Sequence, residues 1–374
     1  MKSKRIIFVV NVDWFFLSHR LPLALEALNR GYDVFLLAAD CGKREEVEKY
    51  GIKFVHIPFE RSGSNPIHEL KCVFKLKRLY KKLCPDIIHH ITIKSAILGS
   101  LAAKFSGNKN VVNAISGFGY NFTDDREGLL QKIMKLVLKF AFKDKHFSYI
   151  LQNPDDINTI KQFNFTSEDK IYLIKGSGID LQQYSFATLP DNKRLNILFP
   201  ARILRDKGVI ELIDAAKLLQ NKFYGKVKFI LAGDCDMNNP TGIHQNELNN
   251  IIVDNYIEWI GYQKQMYEIY KSADIVILPS YREGLPKSLI EACAVGRPII
   301  TTDVPGCREC IIENYNGILV KSKNVEELSS AIEILINNKD LRVQYGKNAR
   351  LLAEKEFSIE SVIDKHFSIY ESIN

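Results

Sequence analysis

The sequence predicts an α/β protein built from two Rossmann-like domains in tandem. Three observations carry that expectation. The chain has 374 residues, more than one average domain needs. Short apolar runs alternate with amphipathic stretches almost throughout, and the series of runs restarts at "RLNILFPAR". The composition, 46% hydrophobic and 25% charged, is that of globular proteins, so each half can bury a core.

In the first half the strand-like runs are "RIIFVVNV", "YDVFLLAA", "KFVHIPF", "DIIHHI" and "NVVNAIS". Helix-like stretches such as "LPLALEALNRG" and "ELKCVFKLKRLYKKL" lie between them, and that alternation marks parallel strands in βαβ units. The polar stretch "ATLPDNKR" is the expected linker, with one domain over 1–188 and the next over 189–355. The second series runs "RLNILFPAR", "KVKFILAGD", "YIEWIGY", "ADIVILPS", "RPIITTD" and "NGILV". Residues 356–374 are expected to form a helix that packs back on the first domain.

Several classes are disfavoured. No apolar run approaches the ~20 residues needed to cross a bilayer. The opening "MKSKRIIFVVNVDWFF" is interrupted by Asp13 and lacks a small-residue cleavage site, so it is read as a first strand. The seven cysteines show no framework spacing, and "CREC" (Cys307, Cys310) has no second pair to complete a zinc site; reduced thiols and a cytoplasmic location are expected. Charge is uneven. Residues 1–190 hold 28 Lys and Arg against 19 Asp and Glu, and residues 191–374 hold 23 against 25. A basic first half suits an anionic partner: substrate phosphates, a membrane surface or nucleic acid.

In open parallel sheets ligands bind at the carboxyl ends of the strands, and two such domains facing each other make a cleft. Residues just after strands therefore draw interest. "PSYREGLPKSLIEACAVG" places Glu283 just ahead of a helix expected to start near Leu285, with Glu291 about two turns inside. Two carboxylates so spaced can accept hydroxyl hydrogen bonds at the two ends of a nucleotide-sugar. The helix N-terminus between them suits its diphosphate. Gly284 lets the backbone approach, and Pro286 suits the first helical turn. At the end of the second domain's first strand, "FPARILRDKGV" offers Arg202 and Lys207, with a glycine behind them. The alternatives are a dipole-favoured Glu283, a solvated Glu291 and a solvated cation pair. "DCD" (Asp234, Asp236) follows "FILAG" and is read as a turn, with no metal expected. "GFGYNF" lacks the third glycine of a dinucleotide fingerprint.

These segments resemble glycosyltransferase family 4, which has the GT-B fold. That family carries Glu, seven residues and Glu, with Gly-hydrophobic-Pro after the first. The resemblance makes Glu283, Lys207 and Arg202 the expected catalytic residues. Gly284, Leu285, Pro286 and Glu291 become the expected donor-binding residues. "TTDVPGCRECI" resembles a family loop that adds Glu309 to the donor site. In the first half, "DWFFLSHRLPLALEALNRGYDVFLL", "DIIHHITIKSAILGSLAAK" and "NAISGFGYNF" resemble members that extend sugars on undecaprenyl diphosphate. His19, Arg20, Lys94, Gly117 and Gly119 are the corresponding acceptor-binding candidates. Ser116 stands where many relatives have a histidine, which leaves the residue touching the reacting sugar open.

The resemblance implies a retaining hexosyltransferase with a UDP-sugar donor, N-acetylgalactosamine being the expected sugar. Its acceptor would be a polyprenyl-diphosphate-linked saccharide. "LLQKIMKLVLKFAFKDKH" and "KCVFKLKRLYKKL" read as basic amphipathic helices suited to an anionic membrane surface. Nucleic acid is not expected, because no recognition motif accompanies the charge. Two rivals remain: a UDP-N-acetylglucosamine 2-epimerase and a non-catalytic membrane-bound partner of a transferase.

Overall fold

The computed structural model describes residues 3–60, 65–117, 129–237 and 239–373, with the backbone alone over 129–135. The chain divides into two compact units, Met1–Ser177 with Glu360–Asn374, and Gly178–Ile359.

The first unit holds β1 (Arg5–Val12), β2 (Asp33–Ala39), β3 (Lys53–His56), β4 (Ile87–Ile91), β5 (Val111–Ile115), β6 (Ser148–Leu151) and β7 (Ile171–Leu173). They form one sheet in the order β3-β2-β1-β4-β5-β6-β7, and every pairing is parallel. Parallel sheets are covered on both faces, so their strands read as apolar runs. Ile6 to Val10 are fully buried, with Ile7 and Val9 in one core and Ile6, Phe8 and Val10 in another. β6 and β7 were absent from the sequence expectation. They are four and three residues long, too short to show a period.

The second unit holds β8 (Leu195–Phe199), β9 (Val227–Ala232), β10 (Ile257–Gly261), β11 (Ile275–Leu278), β12 (Ile299–Thr302) and β13 (Gly317–Val320). Their order is β10-β9-β8-β11-β12-β13, again parallel throughout. In each sheet the strand order reverses once, at β1/β4 and at β8/β11.

Two expectations about the connecting chain change. The second unit begins at Gly178, ahead of the expected 189. Part of the stretch read as a linker is packed into it: the Ala187 amide donates to Val295 O at 3.1 Å. The fully buried Arg297 guanidinium donates to Thr188 O and Ala273 O, each at 3.0 Å.

The last helix, Ile359–Ser372, puts Val362, Phe367, Ile369 and Tyr370 into the core that holds Ile6, Phe8 and Phe16. At its centre His89 Nδ1 meets Tyr370 Oη at 2.5 Å, and the His89 and His366 rings stack with centroids 5.6 Å apart. On the opposite face of β4, His90 is held by Tyr80 Oη at 2.9 Å and Asn113 Oδ1 at 2.7 Å.

Burial keeps His89 and His366 neutral, and the nearby Arg20 charge adds to the effect; His366 is lowered to about 3. Their folded pKa values lie below the ordinary 6.5, so the stability tied to them is present above that value and lost as pH falls from it toward about 3. Urea midpoints should therefore fall progressively from about pH 6.5 down toward about pH 3, and His366→Phe should flatten that dependence. An unchanged slope in the variant would exclude this origin.

Candidate functional site

Several residues expected to form a site in the second half meet at the β8/β11 reversal. β8 ends at Phe199, and the chain runs through Arg202 into a single turn, Arg205–Lys207. β11 ends at Leu278, and the chain runs through Ser280 and Glu283 to the helix Lys287–Val295. Because the two strands are neighbours, the two loops leave side by side.

Lys207 Nζ and Glu283 Oε1 form an ion pair at 2.5 Å, with side-chain exposures of 19% and 14%. The same Oε1 accepts from Ser280 Oγ at 2.8 Å. Burial lowers the Lys207 pKa, but the Glu283 carboxylate, with Asp206 beyond it, more than offsets that and leaves it raised. Lys207 thus carries full charge at neutral pH. Arg202 Nη1 bonds Asp236 Oδ2 at 2.7 Å.

Two glycines make this closeness possible. Gly208 follows Lys207 at φ +73°, and a Cβ there would fall 2.1 Å from Pro279 O. Gly306 sits at φ +83°, and a Cβ there would fall 2.4 Å from Glu283 O. The Glu283 amide donates to Pro305 O at 3.1 Å, which fixes its backbone to the loop after β12.

The helix after Glu283 starts two residues later than expected. Pro286, in extended conformation, is its cap and Lys287 its first residue, so Glu291 lies just over one turn inside rather than two. A proline disfavours helix in the residue before it, which explains why Leu285 stays outside. Glu291 is 8% exposed. Burial pushes its carboxyl above the ordinary range; Lys287, at 3.8 Å, and the hydroxyls of Tyr270 and Tyr184 pull the other way. Glu291 and Tyr270 help line a cavity of about 300 Å³ with Arg202, Gly233, Tyr262 and Ser288. Gly233 leaves room there, since a Cβ would strike Ala201 O at 2.0 Å.

Of the remaining donor-side candidates, Gly284 packs its carbonyl against Gly306, Leu285 is buried, and Glu309 is half-buried in the turn Arg308–Cys310. Asp236 sits in a turn, its carbonyl accepting from the Asn239 amide, and its carboxylate goes to Arg202. Among the described residues no group of three His, Cys, Asp or Glu is placed to hold a metal.

The first unit treats its candidates differently. Arg20, expected to face an anionic acceptor, is 4% exposed and lies under the last helix beside Tyr370, its pKa lowered to about 10 by burial. Its Nε has no hydrogen-bond partner. It therefore fits a structural role better than an acceptor contact. Lys94 pairs with Glu69 at 2.6 Å and donates to Glu60 O at 2.6 Å. His19 is half-buried, stacked on Phe15 with ring centroids 4.1 Å apart. Gly117 adopts φ +124° after β5, and Gly119 lies outside the described residues. Sequence reasoning missed Ser280, Tyr184 and Tyr270. Ser280 stood within the quoted motif; Tyr184 is too far along the chain to signal contact with Glu291.

A family model described as "Glycosyl transferases group 1" matches residues 181–352, and one described as "Glycosyl transferase 4-like" matches residues 5–153. The N,N'-diacetylbacillosaminyl-diphospho-undecaprenol alpha-1,3-N-acetylgalactosaminyltransferase of Campylobacter jejuni is 28% identical over 380 residues, covering 96% of this chain and 98% of its own. The UDP-Gal:alpha-D-GlcNAc-diphosphoundecaprenol alpha-1,3-galactosyltransferase of Escherichia coli is 26% identical, covering 91% and 89%. The solved structure of Anabaena Alr3699/HepE in complex with UDP and glucose is similar in fold, with TM-score 0.78, 16% identity and coverage of 99% and 100%.

The close packing of Gly306 on Glu283 yields a direct test. Gly306→Ala should lower the unfolding free energy by about 2 kcal/mol or more, read from urea denaturation. A loss below about 0.5 kcal/mol would mean the loop yields freely.

Proposed function

Because the chain belongs to the glycosyltransferases of the GT-B type, with a group 1 second half and a 4-like first half, we propose that it moves a hexose from a UDP-sugar to a polyprenyl-diphosphate-linked saccharide. The observation that carries this reading is the meeting of Lys207, Glu283 and the start of the helix Lys287–Val295, beside a cavity lined by Arg202 and Glu291. Cations and the amide N–H groups ahead of a helix at one point suit a diphosphate, and flanking carboxylates suit hydroxyls.

In the proposed reaction the acceptor hydroxyl oxygen bonds to the anomeric carbon as the bond from that carbon to the diphosphate oxygen breaks. The electron pair leaves with UDP, whose oxygen takes the acceptor proton, and configuration is retained. Lys207, Arg202 and the Gly284 and Leu285 amides stabilise the departing charge without a metal. Glu283 orients the sugar through its second oxygen, and Glu291 holds the ribose. N-acetylgalactosamine is the favoured sugar, as in the Campylobacter jejuni relative's name. The acceptor falls to the first unit, where Lys94, His19 and the Gly117 loop follow strands.

The reading extends to a cytoplasmic enzyme resting on the anionic inner face of a membrane. Among the described residues no helix is long and apolar enough to cross one. The helix Pro66–Leu83 buries Cys72, Val73, Leu76 and Tyr80. Its outer face exposes Ile67, Leu70 and Phe74 beside the exposed Lys71, Lys75 and Arg78. Leu136, Val137 and Phe140 are exposed beside Lys139 on the helix Leu129–Phe142. Apolar side chains amid lysines suit acyl chains below anionic headgroups.

Two measurements test the reading. Lys207→Ala and Glu283→Ala should each cut UDP release with lipid-diphosphate-sugar acceptors by about 10²-fold while circular dichroism is unchanged; near-normal turnover would remove these roles. Lys75→Glu with Arg78→Glu should weaken co-sedimentation with phosphatidylglycerol vesicles about tenfold or more, and equal binding would remove the membrane face.

A further inference from the structure

The two cations expected to meet the donor diphosphate, Arg202 at the cavity and Lys207 outside its lining, are both already paired within the protein. Arg202 is paired with Asp236 at 2.7 Å and Lys207 with Glu283 at 2.5 Å. The second pair is braced. Ser280, fully buried, donates to the same Glu283 oxygen at 2.8 Å, while its own carbonyl accepts from Thr302 Oγ1. The Glu283 amide is tied to Pro305 O at 3.1 Å, and Gly306 packs on the Glu283 carbonyl. The carboxylate is therefore held against Lys207 by contacts that a ligand at the cavity does not need to disturb. One oxygen is committed to Lys207 and Ser280.

Resting on the donor reading above, we propose that Glu283 is a built-in countercharge that weakens the hold on the nucleoside diphosphate product relative to the nucleotide-sugar substrate. A diphosphate bound at Lys207 lies close to the Glu283 carboxylate and is repelled by it. In the nucleotide-sugar, a sugar hydroxyl donating to the second Glu283 oxygen offsets that repulsion. After transfer the sugar is gone. UDP then keeps the repulsion, loses the compensating hydrogen bond and, once the proton taken from the acceptor passes to solvent, carries one more negative charge at the newly freed phosphate. The same side chain thus orients the sugar before the bond breaks and favours release of the product afterwards. No motion of the loop is required.

Titration calorimetry of the full chain with UDP, and separately with the UDP-sugar, tests this. Glu283→Gln keeps the shape and removes the charge. It should bind UDP about tenfold or more tighter than the natural protein, while affinity for the UDP-sugar stays equal or falls, so that product inhibition by UDP becomes stronger. Glu283→Ala removes the same charge by truncation and should shift UDP affinity in the same direction. Unchanged or weaker UDP binding in both variants overturns the proposal. The donor reading is tested separately by Lys207→Met. If that variant loses UDP affinity while the Glu283 variants leave it unchanged, the donor site stands and only the countercharge fails. If the natural protein binds no UDP, both fall.

Discussion

The geometry at the β8/β11 reversal governs the second unit. Parallel strands send all their carboxyl ends to one edge, and only where the order reverses do neighbouring connections part and leave a notch. Lys207 and Glu283 come from the two connections that border that notch, although 75 residues separate them along the chain. Their pairing depends on backbones nearly touching. Gly208 lies against the Pro279 carbonyl and Gly306 against that of Glu283, and both hold positive φ angles that other residues rarely adopt. A side chain at either position would force the loops apart before any chemistry was considered.

The first unit repeats the architecture with a different outcome. Its reversal at β1/β4 also gathers polar side chains, but they are largely consumed in holding the fold together. Arg20 and His89 are covered by the last helix, and Lys94 is matched by Glu69. Like topology therefore provides like positions, and the residues at them decide between cohesion and binding. The shortage of paired carboxylates around Arg20 shows the cost of that choice: a guanidinium buried beside two imidazoles that must stay neutral.

Much of this was legible beforehand. Long apolar runs such as "RIIFVVNV" announce buried parallel strands, and two glutamates around Gly-Leu-Pro announce a helix start with a carboxylate on either side. What escaped has physical reasons. β7 has three residues and lies at the sheet edge, where alternation cannot be seen. The start of the helix after Glu283 depends on how Pro286 restricts its predecessor, and one sequence leaves that open by a residue or two. Arg20 read as a cation for an anionic acceptor because nothing near it in sequence reveals a helix arriving from the far end of the chain. The bracing of Glu283 by Ser280 and of Glu291 by Tyr184 and Tyr270 is tertiary information of the same kind.

That late-arriving helix has a consequence for how the molecule is made. Glu360–Asn374 belong with Met1–Ser177, and they cover a core that includes Phe8 and Phe16. During synthesis the part of that core under the helix Ile359–Ser372 waits until the whole second unit has been made, with only the early helices around Phe16, Leu23 and Val47 to cover it. The second unit, contiguous from Gly178 to Ile359, has all its strands earlier. Order of translation and order of completion are thus reversed: the unit begun first is completed only after the second unit's chain has been made.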